Sequence, residues 1–255
     1  MSKIIHKYDN LVQVSVINRP SKKIKSPYLA DISIKSKTEL AHSPWLGLCG
    51  YISKDSIVAV SSSDNEKRKS KYTIELVKVK NDDNKSIWVG ANPVTSNLFF
   101  RRMIELNLLK FLPKIDFIKQ EITFDNLSSR FDFMLESYSK NKKYIVEIKN
   151  VPIIDYPLDK MPQFRKFPIR TNNVRTAIFP DGYQSKKGVC VSPRALKHLQ
   201  ELMKIKKMKT NNCTPMLVFV VQREDCGAFS PNFDKDPIYS KALKKAYQEG
   251  LIIKA

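Results

Sequence analysis

Between residues 11 and 79 the apolar positions fall in short runs, at 11–17, 29–34, 57–60 and 72–79, separated by clusters of Pro, Ser, Gly and Lys. Short alternating runs bounded by turn residues predict strands rather than helices. Strands so closely spaced suit a small barrel of the oligonucleotide-binding kind, because closure removes the exposed edges.

After Trp88 the pattern changes. Residues 96–112 carry apolar side chains at Leu98, Phe99, Ile104, Leu106, Leu108, Leu109 and Leu112, which predicts a buried helix running up to Pro113. Residues 130–135 and 144–149 are expected to form the two strands of a hairpin. The stretch 156–188, rich in Pro, Arg and Lys, reads as a surface excursion near it. Ser192 is placed to cap a helix that Pro193 opens, extending to about Lys204. The apolar run 216–221 predicts a central strand ending in Gln222-Arg223-Glu224-Asp225, and Asp236-Pro237 starts a last helix that passes Tyr247 and stops at Gly250. The expected organisation is a mixed α/β chain with a barrel over residues 1–88 and a second α/β domain over residues 89–255.

Charge narrows the partners. The 255 residues contain 45 Lys plus Arg against 25 Asp plus Glu, a formal net charge of +20. Such an excess favours a polyanion through counterion release, with affinity that is non-specific and sensitive to salt. The competing explanation is a solvated surface in a chain rich in Lys, Asn and Ile throughout, as an AT-rich genome would produce. No apolar run is long enough to span a bilayer, and residues 1–8 lack the apolar core of a secretory signal. A cytoplasmic protein associated with nucleic acid, and no membrane partner, is therefore expected. Cys49, Cys190, Cys213 and Cys226 are too scattered for a Cys-x-x-Cys site. His6, His42 and His198 are isolated, and no Gly-rich phosphate loop occurs. These absences argue against a zinc site, a Ser/His/Asp triad and an organic cofactor.

The candidate chemistry lies in the hairpin. Asp132 on its first strand, with Glu147 and Lys149 on its second, is surrounded by apolar residues. Charges there are costly to bury unless a cation or a mutual pair compensates them. Side chains two apart on a strand share a face, so Glu147 and Lys149 lie together. Two carboxylates can share Mg²⁺ or Mn²⁺, and such an ion lowers the pKa of a bound water and neutralises a phosphate oxygen. Lys149 can then orient the water or the phosphate. This is the spacing of the PD-(D/E)xK nucleases, but a Glu-x-Lys on an amphipathic strand also makes an ordinary ion pair.

Several segments in order resemble the sugar fermentation stimulation protein (SfsA) family. They are Ser63-Asp64-Asn65-Glu66-Lys67-Arg68-Lys69 with Thr73-Ile74-Glu75-Leu76, Ser129-Arg130-Phe131-Asp132-Phe133-Met134-Leu135, Tyr144 through Asn150, Phe179-Pro180-Asp181, Lys197-His198-Leu199-Gln200-Glu201-Leu202-Met203, and Gln222-Arg223. The resemblance implies an oligonucleotide-binding barrel followed by a restriction-endonuclease-like domain, and sequence-nonspecific DNA binding. It maps the family's acidic positions onto Asp132 and Glu147 and its lysine onto Lys149. The chain also departs from the pattern. A polar loop becomes His42-Ser43-Pro44-Trp45-Leu46-Gly47, in which Trp45 either stacks a base or plugs the barrel. A basic segment becomes Pro27-Tyr28-Leu29-Ala30-Asp31. Arg102 stands where an acidic residue is common, which weakens the case for two-metal hydrolysis. Residues 184–190 look inserted, and the chain stops at Ala255 where relatives would add a final strand.

Further nucleic-acid contacts are expected from Lys67, Arg68, Lys69 and Lys71, the alternative being a solvated turn. Arg194, Lys197 and His198 fall near one helix face, and His198 can donate to a phosphate, to Asp181 or to a core carbonyl. Arg223 either meets substrate or pairs with Asp225. The expected partner is DNA, with RNA as an alternative and a homodimer left open. DNA binding ranks first, metal-dependent phosphodiester hydrolysis second. A transcriptional regulator lacks any helix-turn-helix signal.

Overall fold

The first strands of the chain are β1 (Val12–Asn18), β2 (Leu29–Ile34), β3 (Lys37–His42), β4 (Ile57–Ser62), β5 (Tyr72–Lys80) and β6 (Ser86–Gly90). This is a computed structural model, and it describes residues 3–45, 51–65, 67–81, 84–154, 175–180, 192–208 and 212–255. The strand order is β3-β2-β1-β4-β5-β6, and parallel pairing of Ala41 with Tyr72 and His42 with Thr73 joins β3 to β5. The first five strands thereby close into a barrel filled by Val14, Val16, Ala30, Ile32, Val58, Val60, Ile74 and Val77, with β6 extending the sheet beyond β5.

Four of these strands follow from alternation, whereas β3 and β6 do not. The strand β3 opens on exposed Lys37 and Thr38, and it is a strand because it has a partner on each side. It leaves β2 through Lys35 (φ 47°) and Ser36 (φ 62°), a two-residue turn of left-handed residues that matches hairpin twist. Lys-Ser lacks the Asn-Gly signature that would have announced it.

The second sheet contains β7 (Phe117–Ile122), β8 (Phe131–Ser137), β9 (Lys142–Val151), β11 (Cys213–Val221) and β13 (Ile252–Lys254), in the order β13-β11-β9-β8-β7. β9 pairs antiparallel with β8 and parallel with β11. On one face lies α1 (Val94–Glu105), whose Phe100 and Ile104 meet Phe133, Leu135, Val146, Ile148, Met216 and Val218. On the other lie α2 (Pro193–Lys207) and α3 (Pro237–Gln248), whose Leu199, Leu202, Tyr239 and Leu243 meet Ile145, Leu217 and Phe219. Burial on both faces explains the unbroken apolar run of β11. β10 (Arg175–Phe179) and β12 (Cys226–Pro231) form a small parallel pair beside this layer.

Three expectations change. α1 ends at Glu105, not near Leu112, because Asn107 turns left-handed (φ 53°) and the amides of Asn107 and Leu108 return to the carbonyls of Ile104 and Met103. Leu109 and Leu112 still pack on the core from the following loop. Ser192 occupies the position before α2 but makes no side-chain cap. Instead the buried carboxylate of Asp236 takes the Ser192 amide at 3.1 Å and the Tyr239 amide at 2.8 Å, tying the starts of α2 and α3 together. A final strand, β13, follows Gly250 and pairs with β11 through residues 216–218. The expected excursion over 156–188 and the insertion at 184–190 lie almost entirely outside the described residues, as do Cys49 and Cys190. No helix among the described residues is long and apolar enough to cross a membrane.

Barrel and sheet meet at the end of β11. The Gly90 amide donates to the Gln222 carbonyl at 2.9 Å, and the Gln222 amide nitrogen donates to Ser96 at 2.9 Å and Asn150 at 2.8 Å. A Cβ on Gly90 would fall 2.1 Å from Gln222 Oε1. Gly90→Ala should therefore displace Gln222 and lower stability by about 1–3 kcal/mol. The denaturation midpoint measures this, and an unchanged value would mean that the junction can relax freely.

Candidate cation site on the second sheet

The β8–β9 ladder runs from Ser137 opposite Lys142 to Phe133 opposite Val146. Continued by one pair, it would set Asp132 opposite Glu147. The ladder stops there, and Asp132 Oδ2 accepts the Ile148 amide at 2.7 Å. On the other edge of β8, Gln120 pairs with Phe133 and Ile122 with Phe131, while the intervening Glu121 is left-handed (φ 57°). At Asp132 the β8–β9 ladder ends and the β7–β8 ladder skips one pair.

Glu147 is 3% exposed. Lys149 Nζ donates to its Oε1 at 2.5 Å, and the Nδ1–H of buried His198 donates to the same oxygen in a short contact. Glu147 Oε2 is buried and has no hydrogen-bond partner. Burial pushes the Glu147 pKa up, but His198 and Lys149 outweigh it and hold the carboxyl below its usual range. Asp132 goes the other way: burial, then the charge of Glu147, raises its pKa, against the opposing bonds from Ile148 and from Asn97 Nδ2 (2.9 Å). The two carboxylates are therefore close enough to interact, with Glu147 the more readily ionised. A hard divalent cation fits this donor set, since it would satisfy Oε2 and relieve the mutual repulsion. No group of three or more His, Cys, Asp and Glu side chains poised for a metal occurs among the described residues. Such an ion would take its other ligands from water, backbone or substrate.

The structure brings Asp132, Glu147 and Lys149 together and redistributes the other candidates. His198 contacts the carboxylate of Glu147, a partner that is neither a phosphate, nor Asp181, nor a core carbonyl; Asp181 lies outside the described residues. Arg194 and Lys197 are exposed on α2, so the three residues do not share one surface. Arg102 is exposed and pairs with Glu105 at 3.0 Å. The α1 residue that reaches the site is Asn97, one turn earlier. The Arg223 guanidinium is committed to Asp225 at 2.5 and 2.8 Å and to the Pro152 carbonyl at 2.9 Å. Trp45 packs against the barrel core. Lys67, Arg68, Lys69 and Lys71 are exposed on the β4–β5 turn, where Arg68 also donates to Thr73 at 2.8 Å. Sequence reasoning missed Asn97 and the role of His198.

A closed five-strand barrel followed by a helix-flanked mixed sheet defines a two-part α/β protein. Over 99% of the chain this fold matches the structure of Pyrococcus furiosus SfsA in complex with Ca²⁺, with a TM-score of 0.74 at 19% identity and 90% of that chain covered. The model of the sugar fermentation stimulation protein RE domain matches residues 94–255, and the chain belongs to the sugar fermentation stimulation protein (SfsA) family. A sugar fermentation stimulation protein homolog from Bdellovibrio bacteriovorus is 30% identical over 234 residues, covering 88% of this chain and 82% of its own. A homolog from Crocosphaera subtropica is 31% identical over 233 residues, covering 89% and 81%.

The opposed pKa shifts give opposite pH signatures. Asp132 has a folded pKa above its ordinary 3.8, so its ionisation costs stability at neutral pH. Asp132→Asn, which keeps an oxygen for the Ile148 amide, should melt higher at pH 7, with the gain fading as pH falls toward 3.8. Glu147 has a folded pKa below its ordinary 4.5, so it contributes stability above 4.5 that is lost as pH falls through the depressed value. Glu147→Gln should melt lower at pH 7 and converge with the native protein in acid. Melting curves without divalent ions test both signs, and a shared sign would show that the carboxylates do not differ as described.

Proposed function

We propose that the protein binds DNA without sequence preference, and that Asp132 and Glu147 hold a divalent cation against a backbone phosphate. The observation that carries this is the buried, unpartnered Oε2 of Glu147 beside a second carboxylate whose pKa is raised. A net charge of +20 supports a polyanionic partner, and the complex of Pyrococcus furiosus SfsA with Ca²⁺ supports a hard cation. Such an ion would neutralise a phosphate oxygen and lower the pKa of a bound water. His198 and Lys149 fix Oε1 and thereby leave Oε2 for the ion. Asn97 and the Ile148 amide hold the carboxylate of Asp132, the other group that would bind it. The cytoplasm is the compartment this function implies.

Hydrolysis of phosphodiester bonds, in the manner of PD-(D/E)xK nucleases, is a second function that Lys149 favours. Its side chain is 13% exposed and its ammonium is anchored on Glu147, a position from which it can orient a water or a phosphate oxygen. The α1 position nearest the carboxylates is the amide Asn97, which supplies no second anionic ligand, so DNA binding ranks first.

Ca²⁺ or Mn²⁺ should stabilise the native protein, by about 2.7 kcal/mol at a hundred times its Kd, and Glu147→Gln should remove the effect. Thermal melts with calorimetric titration measure this. Affinity for duplex DNA, followed by anisotropy, should fall with salt and rise when the cation is added. If neither DNA nor a cation binds, the proposal fails. Cleavage in Mg²⁺ or Mn²⁺ that Lys149→Met abolishes, with cation binding retained, would place hydrolysis first.

A further inference from the structure

β11 reaches further than the strand at its outer edge. β13 pairs with Met216, Leu217 and Val218, whereas β9 accompanies β11 as far as Val221. From Phe219 to Val221 the outer edge of β11 therefore has no strand partner among the described residues, and the barrel meets β11 just beyond, where the Gly90 amide bonds to Gln222. The gap is a cavity of about 630 Å³ at the junction of the two halves, walled by β11, by α1 and the loop after it, and by Trp88 of β6. Small-molecule sites favour such junctions and span roughly 300–1,000 Å³.

Wall and rim of this cavity differ in chemistry. Phe100 and Val218 of the wall are buried, and Met103 and Val220 continue the same apolar surface. The side-chain nitrogen of Gln222, which also lines the cavity, already donates to Thr95, Ser96 and Asn150 and has no donor to spare. At the rim, Phe111 is 38% exposed, and Lys254 and Glu224 are exposed. Lys254 Nζ stands 5.3 Å from the centre of the Phe111 ring and makes no ion pair with a described residue. Arg223 also borders the cavity, but its guanidinium is committed to Asp225. One available cation beside an apolar cavity is complementary to a molecule with a hydrocarbon body and one negative charge. Glu224 is the alternative anchor, for a cationic head group; the net charge of +20 favours the anion.

We propose that this cavity binds an amphipathic monocarboxylate, with its aliphatic or aromatic body against Phe100, Met103 and Val220 and its carboxylate at the Lys254 ammonium. The site uses neither Asp132 nor Glu147 and needs no divalent ion, so it goes beyond the nucleic-acid function above and stands or falls independently of it.

The test is calorimetric titration of the full chain in EDTA with octanoate, decanoate and dodecanoate, with naphthoate as the aromatic acid and decyltrimethylammonium as the cationic counterpart. One carboxylate should bind per chain, and affinity should rise by about fourfold for each added methylene until the cavity is filled. Tighter binding of naphthoate than of decanoate would support the site and identify the aromatic acid as its ligand. Lys254→Gln should weaken carboxylate binding by about fivefold, and Lys254→Glu should weaken it further. Lys244→Glu, the same charge change on the exposed face of α3, is the control and should have little effect. Met103→Trp adds bulk to the cavity wall and should abolish binding; melting curves confirm that each variant is folded, and if this one is not, the Lys254 variants decide. Absence of saturable binding, equal loss in Lys244→Glu and Lys254→Glu, or tighter binding of decyltrimethylammonium that Glu224→Gln removes would each overturn the site. So would a concentration-dependent dimer that Met103→Trp dissolves, because the cavity would then belong to a second copy of the chain.

Discussion

The burial of Glu147 in the middle of a sheet covered on both faces is the constraint around which the second domain is arranged. An unpaired carboxylate there would cost several kcal/mol. The structure answers with Lys149 two residues along the same strand and with His198 from α2, both on one oxygen. That arrangement explains why the buried face of α2 carries a histidine. It also explains why the second oxygen remains unsatisfied: both donors approach from one side. At Asp132 the β8–β9 ladder ends and β7 skips one pair, and there the carboxylate accepts the Ile148 amide.

A second polar constraint joins the two halves of the molecule. Gln222 closes β11 by bonding to Gly90 of the barrel, to Ser96 of α1 and to Asn150 of β9. Glu75 does related work from the barrel side. Its carbonyl takes the Ala91 amide, and its carboxylate takes Ser61 at 2.7 Å and Asn92 at 2.9 Å. The start of α1 is thus positioned from both sides, and with it Asn97 against Asp132. Hydrogen bonds thereby connect the barrel to the candidate cation site.

Strands and helices with strong apolar periodicity were legible in the sequence because burial on a fixed face leaves a period. β1, β2, β4, β5, β8, β9 and the core of β11 fall where alternation or a continuous apolar run places them. The limits of α1 did not, since Leu106, Leu108, Leu109 and Leu112 continue the apolar content after the backbone has turned at Asn107. β3 was invisible for a different reason: its stability comes from partners on both sides, and four of its six residues are polar.

The closeness of Glu147 and Lys149 was likewise readable, because strand parity is a local rule that sets them on one face, and the hairpin brings Asp132 near enough to feel the charge of Glu147. Tertiary structure alone decided the rest. It sent His198 inward to Glu147 while Arg194 and Lys197 stayed in solvent, committed Arg223 to Asp225, laid Trp45 against the barrel, and chose Asn97 over Arg102 as the α1 residue at the site. Each of those outcomes depends on which face of a helix or which end of a strand meets a distant segment. The sequence by itself determined which charged residues the hairpin carries; the contacts that orient them arise between elements far apart in the chain, and no local spacing encodes such contacts.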